Sequence, residues 1–196
     1  MKTAFSFFVF CLFAVFSVTV KNQLRKQTSP LEALPLGQPM PAFTLPDRTG
    51  NLITFGKDPP VAKLTVINFW ATWCGPCRME MPVFEKLYAA KKQDGFLILA
   101  INEDKEPGAL DTYLKAKPIS FPVLVDTGGS LAEKLGIRAF PTTVLVGGDG
   151  KVMQVIEGLD RYLEYVIYDH LTGKREDGVS VHTIEITGPA KEKPGK

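Results

Sequence analysis

The sequence predicts an α/β fold, a central mixed β-sheet flanked by helices with a β-hairpin at its N-terminal end. Three observations predict it. Residues 64–69 and 96–101 are short, apolar, β-rich runs of the kind that form buried strands. Segments with helical spacing follow each of them. Residues 143–146 and 152–156 then form a strand pair around Gly147-Gly148-Asp149-Gly150, a strong hairpin turn. Strand and helix alternating before a terminal hairpin and helix give a layered sheet of mixed direction.

The elements follow in order. Phe43-Thr44-Leu45 and Leu52-Ile53-Thr54-Phe55 flank Asp47-Arg48-Thr49-Gly50-Asn51, which predicts the first hairpin. The run 64–69 reads as a central strand. Residues 77–92 have helical spacing, with Pro82 expected to kink them. Residues 96–101 give the second buried strand, 109–116 a helix and 122–125 a short strand. A helix over 130–135 ends at Gly136, in the usual C-terminal role. The last helix is predicted over 160–171, and there are no repeats.

Composition narrows the class. The 196 residues are 45% hydrophobic and 22% charged, which describes a globular chain rather than a disordered one. A net charge of +2, with no long basic stretch interleaved with aromatics, argues against nucleic acid as a partner. Cys11, Cys74 and Cys77 are too few for a disulfide framework, so any disulfide chemistry is local.

Four regions are expected. Residues 1–21 form an N-terminal signal-anchor or signal peptide, 22–38 a linker, 39–171 the folded domain, and 172–196 a polar tail. Lys2 precedes an apolar run, and charge returns at Lys21, Arg25 and Lys26. No clean small-x-small cleavage site follows, since Ser17-Val18-Thr19 is a poor one, which favours an uncleaved membrane anchor. The basic residues after the segment would keep the domain in the cytoplasm, whereas a hydrophobic segment in this place usually directs export. Export is the expectation. Phe10 before Cys11 argues against a lipoprotein anchor, leaving Cys11 as one more apolar residue. Ser29-Pro30, Pro35 and Gly37 give the linker its texture. In the tail, residues 179–186 alternate and could pair at a sheet edge.

The chemistry centres on Trp73-Cys74-Gly75-Pro76-Cys77, where a strand gives way to a helix. One helical turn brings the two cysteines within disulfide range. A loop this small stabilises little, compared with roughly 3 kcal/mol for 15 residues, so a structural bridge explains the pair poorly. At a helix N-terminus, unpaired N–H groups and the macrodipole favour the Cys74 thiolate, the form that attacks disulfides. Cys77, deeper in the helix, would act second. Pro76 suits a first helical position, and Gly75 lets a partner chain approach. Metal binding is disfavoured: no second cysteine pair exists, and His170 and His182 lack ligand-like spacing.

Two further residues join the pair. By helical phase, Glu80 falls on the same stripe as Cys77, Met81, Phe84, Leu87 and Tyr88. A carboxyl buried there has a raised pKa and could take the Cys77 proton during resolution. The alternative is a first-turn glutamate turned to water. Phe140-Pro141-Thr142-Thr143 enters a strand, and a cis bond at Pro141 would expose backbone to a client chain.

From Val66 to Pro82 the run reads Val66-Ile67-Asn68-Phe69-Trp70-Ala71-Thr72-Trp73-Cys74-Gly75-Pro76-Cys77-Arg78-Met79-Glu80-Met81-Pro82. It resembles the thioredoxin superfamily, specifically its membrane-anchored TlpA/ResA-like extracytoplasmic branch. Gly136-Ile137-Arg138-Ala139-Phe140-Pro141-Thr142-Thr143 and the Gly148-Asp149-Gly150-Lys151 turn support the likeness, which covers about residues 37–171. It implies a thioredoxin fold with a central αβ insertion at about 107–126. It also implies Cys74 as attacking thiol, Cys77 as resolving thiol, Glu80 as the branch's glutamate and Pro141 as the cis-proline facing the cysteines. Trp73, Gly75, Pro76 and Phe140 would form the client-binding surface. Cytoplasmic thioredoxins carry a buried Asp where this chain has Asn68. Phe140 is bulkier than the residue often found before that proline and would narrow or reshape the groove.

The resemblance further implies a protein disulfide reductase on the extracytoplasmic face of a bacterial inner membrane (periplasm). Its clients would be disulfide-containing exported proteins such as apocytochrome c or copper-delivery proteins. No cofactor is implied beyond the redox-active Cys74–Cys77 disulfide, which a membrane electron donor would re-reduce. A dithiol oxidase or isomerase, or a non-catalytic client- or metal-binding module, are the alternatives. Peroxidase activity is disfavoured by the lack of a threonine-cysteine motif.

Overall fold

A computed structural model describes residues 34–56 and 62–173. The signal segment with Cys11, the greater part of the linker, and the tail with its alternating 179–186 stretch lie outside the described residues. The chain divides into two compact units, Met1–Asp160 and Arg161–Lys196.

The first unit holds the sheet. Strand β3 (Leu64–Trp70) is buried at every residue, as its apolar run demands of a central strand. It pairs in parallel with β4 (Phe96–Asn102) on one side and antiparallel with β6 (Thr142–Gly147) on the other. Outside these lie β5 (Val123–Val125), parallel to β4, and β7 (Val152–Glu157), antiparallel to β6. The order is β5-β4-β3-β6-β7, the mixed sheet that the sequence predicts. Strands β1 (Phe43–Pro46) and β2 (Leu52–Phe55) form a separate antiparallel hairpin. Its Phe43 and Phe55 rings stack with centroids 5.4 Å apart. Its turn closes on Asp47, whose carboxyl the Thr49 hydroxyl and the Asn51 side chain hold down at about 2.

The segment leading into this hairpin packs earlier than a free linker would. Leu34 is fully buried. The Gly37 N–H donates to the Val152 carbonyl, and the Val152 N–H donates back to Gln38. Pro39 bridges to Lys151 beside β7, and Asp47 bridges to Leu124 of β5. The chain therefore crosses from one edge of the sheet to the other, placing Met40, Phe43 and Leu45 in the core. There they meet Ile67, Phe69, Leu99, Ile101 and Val144 of the sheet.

The opposite face of the sheet receives α1 (Gly75–Lys91), which turns Cys77, Glu80, Met81, Phe84 and Leu87 inward. The helix begins two residues before the predicted start. Pro76 is accordingly its second residue, where a missing N–H still removes no intrahelical bond. Pro82 lies inside the helix without ending it. It sits on the exposed side, where the Arg78 carbonyl that lacks its helical partner can face water. Helix α2 (Ala109–Ala116) and β5 fall within the predicted insertion, and α3 (Ser130–Lys134) precedes Gly136, whose φ is +68°.

The second unit contains α4 (Leu163–Thr172), with Leu163, Val166 and Ile167 on one side. It starts three residues later than predicted. The segment before it leaves β7 through Gly158 at φ +81°, whose N–H donates to the Pro141 carbonyl. Residues 161 and 162 form a turn ahead of the helix rather than its first residues.

Candidate active site

The site is built where β3 ends. The Cys74 N–H donates to the Ala71 carbonyl at 3.1 Å, which bends the chain off the strand. The Thr72 N–H donates to Asp104 Oδ1 at 3.0 Å, tying the bend to the end of β4. Cys74 then caps α1 in an extended conformation, and its Sγ accepts the Cys77 N–H at 3.2 Å. Cys74 and Cys77 form a disulfide with Cα atoms 5.3 Å apart. No acidic side chain occupies the first turn of α1, so the partial positive charge of the helix start acts on Cys74 undiminished. Cys77 is fully buried and Cys74 is 4% exposed.

The loop before β6 adjoins this motif through register. Phe69 lies opposite Thr142, so Pro141 falls beside the end of β3, just before the motif. The Phe140–Pro141 peptide bond is cis. The Trp73 indole meets the Phe140 ring edge-on, with centroids 6.1 Å apart, yet Trp73 remains 67% exposed. Pro76 is exposed as well. A Cβ added at Gly75 would touch nothing within 4 Å. Trp73 and Phe140 also border a cleft of about 1000 Å³, which extends past Asp104 and Lys105 to Gly129 and Arg138.

Behind the disulfide lies a polar group. Glu80 is 2% exposed, so it is not turned to water. Its Oε2 accepts from Asn68 Nδ2 at 3.4 Å, and the same nitrogen donates to Thr143 Oγ1 at 3.0 Å. Glu80 Oε1 and Asn68 Oδ1 have no hydrogen-bond partner among the described residues. Burial pushes the Glu80 carboxyl up to about 7. The Asp160 backbone and Asn68 pull it down too weakly to reverse that, and the Asp160 charge raises it further.

Three acidic residues near the cleft escaped the sequence reading. Asp104 holds the motif loop. Asp126 accepts from the N–H groups of Ser130, Leu131 and Ala132 and from the Ser130 hydroxyl, at 2.8–3.1 Å. Glu103 is 7% exposed, and burial together with the neighbouring Asp126 charge raises it to about 8. The signal was the polar run Asn102-Glu103-Asp104 directly after an apolar strand. Among the described residues, no group of three or more His, Cys, Asp or Glu could hold a metal ion. No helix among them is long and apolar enough to cross a membrane.

Comparison with known proteins bears on this geometry. Residues 36–155 match the AhpC/TSA family. Thiol-disulfide oxidoreductase ResA of Bacillus thuringiensis subsp. konkukian is 36% identical over 141 residues, covering 69% of this chain and 80% of that protein. ResA of Bacillus subtilis is 31% identical over 140 residues, covering 71% and 76%. The crystal structure of a thiol:disulfide interchange protein DsbE from Chlorobium tepidum superposes with a TM-score of 0.65 at 28% identity. It covers 71% of this chain and 97% of that one.

Proposed function

Since this chain belongs to the AhpC/TSA family and, within it, to the thioredoxin-like ResA-type thiol–disulfide oxidoreductases, we propose that it reduces disulfides in exported proteins through Cys74 and Cys77. The observation that carries this is the Cys74–Cys77 disulfide at the start of α1, with the Cys77 amide donating to the Cys74 sulfur. Reduction of that bond leaves a Cys74 thiolate facing helix N–H groups, which favour the anion.

The chemistry balances as an exchange. The Cys74 thiolate attacks one sulfur of a client disulfide, forming a mixed disulfide and releasing the other client sulfur as thiolate, which takes a proton. Glu80 accepts the Cys77 proton, and the Cys77 thiolate attacks Cys74 Sγ. The Cys74–Cys77 disulfide forms and the second client sulfur leaves, protonated through Glu80. Two electrons pass to the client, so a membrane dithiol or equivalent donor must return two. Trp73, Gly75, Pro76 and Phe140 form the client-facing surface, with the buried Pro141 beneath them. The exposed Trp73 and the open space over Gly75 support that assignment.

Residues 1–21 tether the domain to the extracytoplasmic face of a bacterial inner membrane, the chain from 22 links it as far as Leu34, where packing begins, the catalytic domain continues to 171, and 172–196 form a tail. Apocytochrome c and copper-delivery proteins are the client class that a periplasmic reductase of this type would meet. Expressing Cys77→Ser in the native compartment tests the proposal. Clients should accumulate as mixed disulfides on Cys74, and none should form with Cys74→Ser. Absence of any adduct would sink it, and a strongly oxidising potential would reverse the direction.

A further inference from the structure

Asn68 stands at the middle of β3 with no exposure at all. An amide in such a place can draw its hydrogen bonds only from the protein, and here Nδ2 makes them while Oδ1 has no partner among the described residues. Its Nδ2 serves two acceptors on different elements, Glu80 Oε2 of α1 and Thr143 Oγ1 of β6. Asn68 and Thr143 are directly opposed across the β3–β6 pair, so their contact is fixed by strand register. That contact ties the amide to the strand following Pro141.

We propose that Asn68, anchored by Thr143, is the positioning residue that holds Glu80 as a proton acceptor for the thiols. The inference rests on the proton-transfer role given to Glu80 above and assigns the support for it. A carboxylate buried beside an apolar helix face needs a donor, and Nδ2 is the donor the sheet offers. An aspartate at position 68 would place a second buried carboxyl against Glu80. Asparagine supplies hydrogen bonding without charge. Its carbonyl gives it a second use: when Glu80 takes a proton, a half-turn of the amide presents Oδ1 to the new O–H, and the Thr143 hydroxyl can donate to the same oxygen. Both protonation states of Glu80 thus find a partner in one side chain. The other groups facing Glu80 are Asp160, whose backbone favours the carboxylate and whose charge opposes it, and the cysteines of α1 itself.

The test is carboxyl-carbon NMR of Glu80 in the oxidised full-length protein, where no thiol reaction takes place. Asn68→Leu removes the donor at similar volume and should raise the Glu80 midpoint by about one pH unit, a tenfold gain in proton affinity. Asn68→Asp should raise it further. Thr143→Val should shift it in the same direction by less, and Thr143→Ser, which keeps the hydroxyl, should restore the original midpoint. If Asn68→Leu does not fold, the two Thr143 variants carry the test. An unmoved midpoint in every folded variant overturns the proposal, because a merely structural role would change stability without moving the titration. The part of Glu80 in thiol chemistry is judged separately, by whether Glu80→Gln changes the pH profile of client reduction.

Discussion

The Trp73 indole rests edge-on against the Phe140 ring, 6.1 Å between centroids, and keeps two thirds of its surface in solvent. The contact joins the loop that ends β3 to the loop that begins β6, the two segments bearing the cysteines and Pro141. Phe140 was expected to narrow or reshape a client groove, and both rings line the cleft described above.

Truncating either ring should therefore harm client recognition and spare the dithiol. Trp73→Ala and Phe140→Ala are each expected to lower kcat/KM for a protein disulfide by about tenfold, the usual scale for an aromatic anchor. Reduction of the Cys74–Cys77 bond by a small dithiol should stay within about twofold of the parent. Equal losses with both substrates would place the rings in the chemistry rather than the docking.

Glu80→Gln bears on the resolving step. With the carboxyl near 7, the parent rate of mixed-disulfide resolution should rise as pH climbs through that value, because the ionised form is the base. The glutamine variant should lose this limb and slow by about a hundredfold at pH 7, the lower end for general base catalysis. Stopped-flow decay of a mixed disulfide reads it directly. A variant that keeps the parent profile would remove Glu80 from the mechanism.

Two raised carboxyls also make stability depend on pH. Glu80 and Glu103 titrate near 7 and 8 when folded, against 4.5 for the unfolded reference. Between those limits the folded state holds protons that the unfolded chain releases, so stability must fall as pH rises. The slope is at most about 1.4 kcal/mol per pH unit for each group, and it flattens above pH 8. Urea unfolding from pH 5 to 9 should show the decline. Glu103→Gln should remove the part that persists between pH 7 and 8.

The sheet was legible because its signals are local. Apolar runs of strand length and the Gly-rich turn after Gly147 need no tertiary information to be recognised. The cysteine pair and the burial of Glu80 were legible for a similar reason, since spacing along one helix fixes which side chains share a face. What escaped depends on elements far apart in sequence meeting in space. Thr143 becomes a partner of Asn68 only through the β3–β6 register. Asp104 becomes an anchor for Thr72 only when β4 lies beside β3.

Asp126 offers the sharpest test of that hidden layer. Its carboxylate takes three consecutive backbone N–H groups and one hydroxyl at the start of α3, a five-residue helix with no other side-chain cap. Asp126→Ala leaves those donors unmet, so unfolding stability should drop by about 2–3 kcal/mol. Removing the Asp126 charge also removes one cause of the high Glu103 pKa, so the Glu103 midpoint should fall. Asp126→Asn keeps acceptors for part of the set and should lose less stability, while lowering Glu103 by a similar amount. Chemical denaturation paired with carboxyl NMR separates the two effects. A Glu103 midpoint that stays near 8 in both variants would mean that burial alone raises it.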